Sequence, residues 1–388
     1  MRALDLFSGV GGLALAVRPF VEHLGYCEID AFCRRVLAAR MREGALPRAP
    51  VHGDVRTLHP AALSPEIVVG GFPCQDVSGI GARAGMSGAR SSLFFEIARI
   101  VDESPSVVAV FLENVSNIAC CGGEEVVRAL AERGFAMRWT MRAASDEGAP
   151  HVRLRWFLLA VRGDGARRVS EAVESHALET GAWPAEPETS VTPREEQGPD
   201  WVRRMGALGN AVVPRVARHA FVELAASALA WHACASMLCA ESMGHEIPRG
   251  GMLLDGKLYA LPHAAPRAAR YPTPRAANVY PTTRGGARKE TLSTALVHAA
   301  APEAHLTLLP DPRYVEWMMG FPIDWTLAPE PEPEPEPEPH EPRRARLNGM
   351  HLFMREFPGN NISAASAMWR ALAPERREEY SAAARRMR

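Results

Sequence analysis

Four short apolar runs, each joined to residues able to do chemistry, constrain the fold of this chain more than any other feature. They are Ala3-Leu4-Asp5-Leu6-Phe7, Ile67-Val68-Val69, Val107-Val108-Ala109-Val110-Phe111-Leu112 and Trp156-Phe157-Leu158-Leu159-Ala160-Val161. Such runs, bounded by glycine, proline and polar residues, read as strands buried on both faces, as in a sheet covered by helices. The first passes through Ser8-Gly9-Val10-Gly11-Gly12 into the helix-like Leu13-Ala14-Leu15-Ala16-Val17, giving strand, glycine turn and helix. In an open α/β sheet of this kind, ligands collect just beyond the carboxyl ends of the strands.

The loops at that edge carry the candidate chemistry. Cys74 follows the second run in Gly70-Gly71-Phe72-Pro73-Cys74-Gln75. A free cysteine is ordinarily a small buried hydrophobe, but proline before it and glutamine after it belong to an irregular, partly polar loop, where the sulfur reads as a nucleophile. The glycine turn lets the backbone approach a ligand, and the helix after it offers free amides, although the three-glycine dinucleotide spacing is not met. Glu28 ends the run Leu24-Gly25-Tyr26-Cys27, where a carboxylate can accept ribose hydroxyls, and Asp54 in His52-Gly53-Asp54-Val55 would close a third unit and could meet an adenine amino group. Glu113 terminates the third run; taken alone it is better read as a carboxylate capping a following helix. Gly148-Ala149-Pro150-His151-Val152-Arg153-Leu154-Arg155 brings two guanidiniums to the same region, although two arginines before a strand are ordinarily a solvated edge.

Taken in order, these elements resemble the C5-cytosine DNA methyltransferase family. Asp5-Leu6-Phe7-Ser8-Gly9-Val10-Gly11-Gly12 resembles its cofactor loop, Pro73-Cys74-Gln75 its nucleophile loop, Glu113-Asn114-Val115 its acid motif and Arg153-Leu154-Arg155 its paired arginines. Leu208-Gly209-Asn210-Ala211-Val212-Val213-Pro214 is similar to its late motif, and Ser91-Ser92-Leu93-Phe94-Phe95-Glu96-Ile97-Ala98-Arg99 to the helix after the nucleophile loop. The likeness runs over residues 1–221. It implies a class I S-adenosylmethionine-dependent methyltransferase fold, a Rossmann-like doubly wound α/β sheet. It also implies S-adenosylmethionine as consumed methyl donor and double-stranded DNA as partner. The donor would be surrounded by Phe7, Gly9, Gly11, Gly12 and Leu13 of the first loop, with Glu28, Ile29, Asp54 and Val55 from the next two. Phe72, Pro73, Leu93, Asn210 and Val212 would complete that site.

The chemistry explains the residue types. Cytosine C5 is a poor nucleophile; a thiolate adding at C6 pushes electron density onto C5, which then attacks the methyl group. Cys74 would be that thiolate. Glu113, kept protonated by burial, would relieve charge at N3. Arg155 would hold the cytosine carbonyl oxygen and favour the ionised thiol, with Arg153 in support. The base that removes the C5 proton is left unnamed. Because duplex DNA hides C5 and C6, the target must be rotated out of the stack, and the small-sided residues 76–88 suit a loop closing over DNA. Two other readings share the scaffold: a tRNA cytosine methyltransferase, and a catalytically silent DNA-binding regulator. The former is disfavoured by the DNA-bending-like tail described below, and the latter by retention of both Cys74 and Glu113.

Composition and order add the rest. With 388 residues, 47% of them hydrophobic, the chain can hold two or three domains, and no run approaches a membrane span. Seven cysteines without framework spacing point to reduced thiols and an intracellular location; the protein is expected to be monomeric. The compartment would be the nucleus or a viral replication site in a eukaryotic or viral setting, and otherwise the cytoplasm. His232, Cys234, Cys239 and His245 match no standard zinc spacing, and residues 225–240 read as an alanine-rich helix, so no metal is expected. The net charge is −1, yet Arg249, Lys257, Arg267, Arg270, Arg275, Arg284, Arg288 and Lys289 crowd one proline-rich region, a composition suited to phosphates and base edges.

The interval after the paired arginines is short for a recognition domain. Residues 310–325 resemble the Gly-Phe-Pro motif that ordinarily precedes the late motif, and residues 191–195 resemble its start. The order is therefore expected to be rearranged as in some phage and viral members. The domains are then a catalytic region over 1–230, target recognition over 245–328, a Pro-Glu linker over 329–342 and a basic module over 343–388. The linker's prolines favour an extended spacer of a few tens of ångströms, with an acidic docking motif as the other reading. The module carries ten arginines against four glutamates. Three short helices are expected, over 350–357, 364–372 and 375–388; with Asn348, Phe353, Trp369, Pro374 and Tyr380 they resemble a shortened HMG box, and a plain three-helix interaction module fits as well.

Overall fold

Successive side chains of a strand point to opposite faces, so a strand that is apolar at every position needs a core on both sides. The computed structural model describes residues 1–73, 93–174, 176, 181–231, 240–241, 246–262, 265–275, 295–296, 308–329 and 372–386. They divide into two compact units, Met1–Pro329 and Glu330–Arg388.

The first unit begins β1 (Arg2–Leu6), α1 (Gly12–Val17), β2 (Glu22–Cys27), α2 (Ala31–Arg42), β3 (Val51–His52) and β4 (Ile67–Gly70). It continues α3 (Phe94–Glu103), β5 (Ala109–Val115), α4 (Gly123–Ala131), β6 (Ala136–Arg142), β7 (Arg155–Val161) and α5 (Gly165–Glu174). Then follow β8 (Val191–Pro193), α6 (Trp201–Asn210), α7 (Pro214–Ala226), β9 (Ala240–Glu241), β10 (Gly251–Leu254), β11 (Lys257–Ala260), β12 (Leu308–Pro310) and α8 (Pro312–Met318). In the second unit α9 spans Pro374–Arg386.

Among the described residues ten strands form one sheet, in the order β3-β2-β1-β4-β5-β7-β6-β10-β11-β9. From β3 to β5 every pairing is parallel, and β7 runs antiparallel between β5 and β6. The open α/β sheet expected from the apolar runs, and the doubly wound architecture that the resemblance implies, are therefore present. Both faces are packed: Phe111, Phe157 and Leu159 join α1, α2, α5 and α7 in one core, while Val110, Leu112, Trp156 and Leu158 join α3 and α4 in the other. Each such fully buried side chain contributes roughly 1.5–3 kcal/mol. The strand order reverses between β1 and β4, which opens a crevice at their carboxyl ends.

Several local expectations change. The third apolar run starts its strand at Ala109 and continues through Val115, so Glu113 lies within β5. The 3-10 turn that follows, Ser116–Cys120, has no side-chain cap, and the capping reading of Glu113 is not realised. Of the alanine-rich helix expected over 225–240, Ala225 and Ala226 close α7, a 3-10 turn follows at Ala228–Ala230 and Trp231 is again helical, while 232–239 lie outside the described residues. Cys74, residues 76–88, His232, Cys234, Cys239 and His245 lie outside the described residues.

Within the stretch 245–328, β10 and β11 form a hairpin on Asp255 and Gly256, both left-handed at φ 50° and 75°, and extend the sheet from β6. The two segments similar to parts of one motif meet: β12 pairs with β8, Leu309 opposite Thr192. In the second unit, the helix expected over 375–388 appears as α9, with Pro374 in its first turn, where the missing N–H costs nothing. Of the residues carrying the HMG-box likeness, Tyr380 also falls on α9, while Asn348, Phe353 and Trp369 lie outside the described residues. Among the described residues no helix is long and apolar enough to cross a membrane, and no group of three or more His, Cys, Asp or Glu could hold a metal ion.

Candidate active site

The turn leaving β1 is locked from below by Ser8, whose N–H donates to the Cys27 carbonyl at 3.0 Å and whose hydroxyl donates to the Asp5 carbonyl at 3.0 Å. Phe7, Gly9 and Gly11 are left-handed, at φ 56°, 53° and 85°. Glycine adopts this freely, whereas a phenylalanine pays on the order of 1–2 kcal/mol and holds it only where its surroundings impose it. Gly11 caps α1, all of whose residues are buried, Gly12 and Leu13 among them.

Glu28, the first residue past β2, is 9% exposed, and its two oxygens accept the N–H groups of Gly9 and Asp30, each at 2.7 Å. Burial pushes its carboxyl above the ordinary range, against those amides and the Arg34 charge. Next to it Ile29 is 67% exposed, and a Cβ added to Gly9 would meet nothing within 4 Å. Open space over a glycine turn, a carboxylate acceptor and an exposed aliphatic side chain together suit a nucleoside, with hydroxyls for the carboxylate and a flat ring for the aliphatic chain. Asp54 is already engaged: the Arg56 guanidinium meets it at 2.6–3.1 Å and holds its carboxyl below the usual range. Val55 is core, Leu93 is half-buried ahead of α3, and Phe72 packs on Phe94 with ring centroids 5.4 Å apart. Pro73, half-buried, is the last described residue before Cys74.

Across the crevice, a Cβ on Gly71 would lie 3.1 Å from Glu113 Oε2, so the backbone leading to Cys74 passes close over this carboxylate. Glu113 Oε1 meets Arg155 Nε at 3.1 Å, with the two side chains 12% and 16% exposed. Burial raises the Glu113 carboxyl above its usual range and outweighs the opposing charges of Arg155 and Arg153. Asn114 ties the edge together: its amide donates to the Phe72 carbonyl at 3.2 Å, and its oxygen accepts the Val115 N–H at 2.8 Å.

The paired arginines divide their work. Arg155 faces Glu113, whereas Arg153, buried and left-handed at φ 32°, reaches main-chain carbonyls. Its guanidinium donates to Pro274 at 2.6 Å, to Gly209 at 2.9 Å and to Ala211, and its N–H to Thr273 Oγ1 at 3.0 Å. It thereby joins the late motif to residues 273–274. In that motif Asn210 is exposed, while buried Val212 crowds the start of α1, its Cγ1 within 2.9 Å of where a Gly12 Cβ would stand.

Three residues given no role from sequence also belong here. Asn114 is one. His151, buried and held neutral because desolvation pulls its pKa to about 3, donates from Nε2 to the Met318 carbonyl at 2.9 Å. Trp325 donates from Nε1 to the Val10 carbonyl at 2.8 Å. The partners of His151 and Trp325 are 167 and 315 residues away, so no local pattern announces them.

Comparison with known proteins places these turns. The chain is 30% identical over 228 residues to the Type II methyltransferase M.CviJI of Paramecium bursaria Chlorella virus IL3A, covering 58% of this chain and 59% of that protein. It is 33% identical over 170 residues to the Type II methyltransferase M.HhaI of Haemophilus parahaemolyticus, covering 42% and 50%. It thus spans only about half of the length of these relatives. Among solved structures it is similar to the S. pombe Dnmt2 methyltransferase, at 21% identity and TM-score 0.35 over 42% of this chain and 51% of that one. The profile of the C-5 cytosine-specific DNA methylases matches residues 1–200. A match that begins at the first strand and takes in the turns after β1, β2, β4 and β5 over more than half of the chain makes it a member of the C-5 cytosine-specific DNA methylase family.

Proposed function

We propose that this protein transfers a methyl group from S-adenosylmethionine to C5 of a cytosine rotated out of double-stranded DNA, through a covalent bond between Cys74 and C6. The observation that carries the reading is Glu113: a buried carboxyl above its usual range, 3.1 Å from Arg155 and directly under the backbone that leads to Cys74.

The residues at the β1 and β2 turns fit the methyl donor. Glu28 offers carboxylate oxygens for ribose hydroxyls, Ile29 an apolar surface for the adenine, and residues 7–12 a turn that a bound nucleoside can approach closely. When bound, the donor supplies an electrophilic methyl group. The protein's part is to make C5 able to take it. Cys74, as thiolate, adds to C6 of the flipped base. Glu113 holds a proton at N3, where negative charge would otherwise build up, and its raised pKa keeps that proton available near neutrality. Arg155, beside Glu113, orients the carboxyl and faces the base carbonyl. Arg153 acts on the main chain, fixing the late motif behind the cofactor turn. Loss of the C5 proton then lets the thiol leave. Residues 245–328 would supply target recognition.

Sequencing of C5-methylcytosine in DNA from cells expressing the full chain, beside a Cys74→Ala control, tests the reading. Methylation confined to one short sequence and absent from the control is expected. Soluble protein with no methylcytosine in DNA, or with methyl groups in tRNA instead, would overturn it.

A further inference from the structure

Residues 308–327 stand far beyond the late motif in sequence, yet they fold onto the turn that would cradle the methyl donor. β12 fastens their start to β8. At the other end, the loop after α8 is closed around Glu316, which is fully buried and accepts the Arg204 guanidinium at 2.9 Å and the N–H groups of Asp324 and Thr326 at 2.6 and 2.8 Å. A buried carboxylate satisfied in this way rigidifies its loop. The loop holds Trp325, 1% exposed, with Nε1 2.8 Å from the Val10 carbonyl and its ring 5.5 Å from Phe321. Arg40 of α2 secures the far side, donating to the carbonyls of Asp324 at 2.9 Å and Leu327 at 3.0 Å.

Val10 lies between Gly9, whose N–H is bound by Glu28, and Gly11, which caps α1. Two glycines flanking one residue leave the turn with little intrinsic stiffness. Besides Ser8 below and the Gly11 N–H donating to the Ser8 carbonyl at 2.8 Å, its shape is set by Glu28 on one side and Trp325 on the other. We propose that Trp325 is a positioning residue for methyl-donor binding: by holding the Val10 carbonyl it fixes the cofactor turn, so the segment after the late motif sets the affinity for S-adenosylmethionine. This rests on the functional reading above.

Trp325→Phe keeps an aromatic ring and removes the donor. One neutral hydrogen bond predicts about a three- to tenfold weaker Kd for S-adenosylmethionine, measured by calorimetry on the full chain without DNA. KM for the donor should rise to match, with kcat at saturating donor and KM for DNA within about twofold. Hydrogen exchange at the amides of residues 8–12 should speed up, which a remote packing defect would not localise. Arg40→Gln, which removes the donations to Asp324 and Leu327 and the guanidinium 5.7 Å from the Trp325 ring centroid but keeps the indole N–H, should move the same quantities in the same direction and carries the test should Trp325→Phe fail to fold. Folded variants with wild-type donor affinity and wild-type exchange over residues 8–12 would overturn the proposal. So would a fall in kcat with KM for the donor unchanged. A wild-type chain that binds no S-adenosylmethionine would instead overturn the functional reading.

Discussion

At the scale of single residues, two buried carboxyls at one sheet edge are held away from their ordinary ionisation, with different consequences. Glu113 is raised by burial despite Arg155. If its proton is needed at N3, activity falls as pH rises through that raised pKa, while the Cys74 thiolate requirement limits activity at low pH, giving a bell-shaped rate profile. Glu113→Gln should lower kcat by about 10²–10⁴-fold and abolish the alkaline limb of whatever rate remains; a variant of near wild-type kcat would remove Glu113 from the mechanism. Asp5, fully buried, has its pKa raised from 3.8 to about 7 by desolvation, with the Glu28 charge adding to the shift and a Ser8 hydrogen bond opposing it. The native state keeps this proton where the unfolded chain has lost it, so stability falls as pH rises from about 4 to about 7 and is flat above. Asp5→Asn removes that slope. Its melting temperature should exceed wild type at pH 8, by the equivalent of on the order of 4 kcal/mol at most, and converge with it near pH 4; a gap independent of pH would mean that Asp5 is ionised throughout. The sequence shows that Glu113 follows an apolar run, and so its place at the edge was legible. That Arg155 pairs with it while Arg153 turns to Gly209 and Pro274 was not, because Arg-Leu-Arg reads the same whichever guanidinium faces the site.

At the scale of elements, legibility follows the range of the contact. The runs that became β4, β5 and β7 needed only apolar residues and a turn, both local. Asp255-Gly256 between β10 and β11 is likewise a local two-residue hairpin signal, one that a reading of this region as proline-rich loops passes over. The pairing of β12 with β8 joins strands more than a hundred residues apart, and only the likeness of residues 191–195 and 310–325 to parts of one motif points to it, not any local pattern in either tripeptide. The same holds for the seam between the late motif and α1. A Gly12 Cβ would lie 2.9 Å from Val212 Cγ1, 3.0 Å from Val212 O and 3.3 Å from Phe321 Cζ. Two of those atoms belong to packed side chains and one to backbone, so Gly12→Ala should destabilise the protein by about 1–3 kcal/mol and weaken donor binding. Gly206→Ala, inside α6 with nothing within 4 Å of the new methyl, should instead raise the melting temperature, by about 0.5–1 kcal/mol of helix propensity. Equal effects of the two substitutions would mean that the seam yields.

At the scale of the whole molecule, net charge hides how charge is arranged. The chain carries −1 overall. Beyond Pro329, the spacer over 330–342 holds six glutamates, and residues 343–388 hold ten arginines and four glutamates, so the second unit sums to zero while being sharply divided. Removing it leaves the net charge at −1, and any change in DNA binding then reports local contacts rather than bulk charge. A chain ending at Pro329 should melt at the temperature of the full chain, because the catalytic sheet and both of its cores lie within the first unit. If the tail's arginines neutralise phosphates, the plot of log affinity for duplex DNA against log salt should become shallower by about 0.9 for each phosphate lost. A chain ending at Pro342, which keeps the acidic spacer without the basic module, should bind more weakly still at low salt, since six glutamates then repel the duplex with nothing to offset them. Identical slopes for the full chain and the chain ending at Pro329 would remove the tail from DNA binding and leave recognition to residues 245–328.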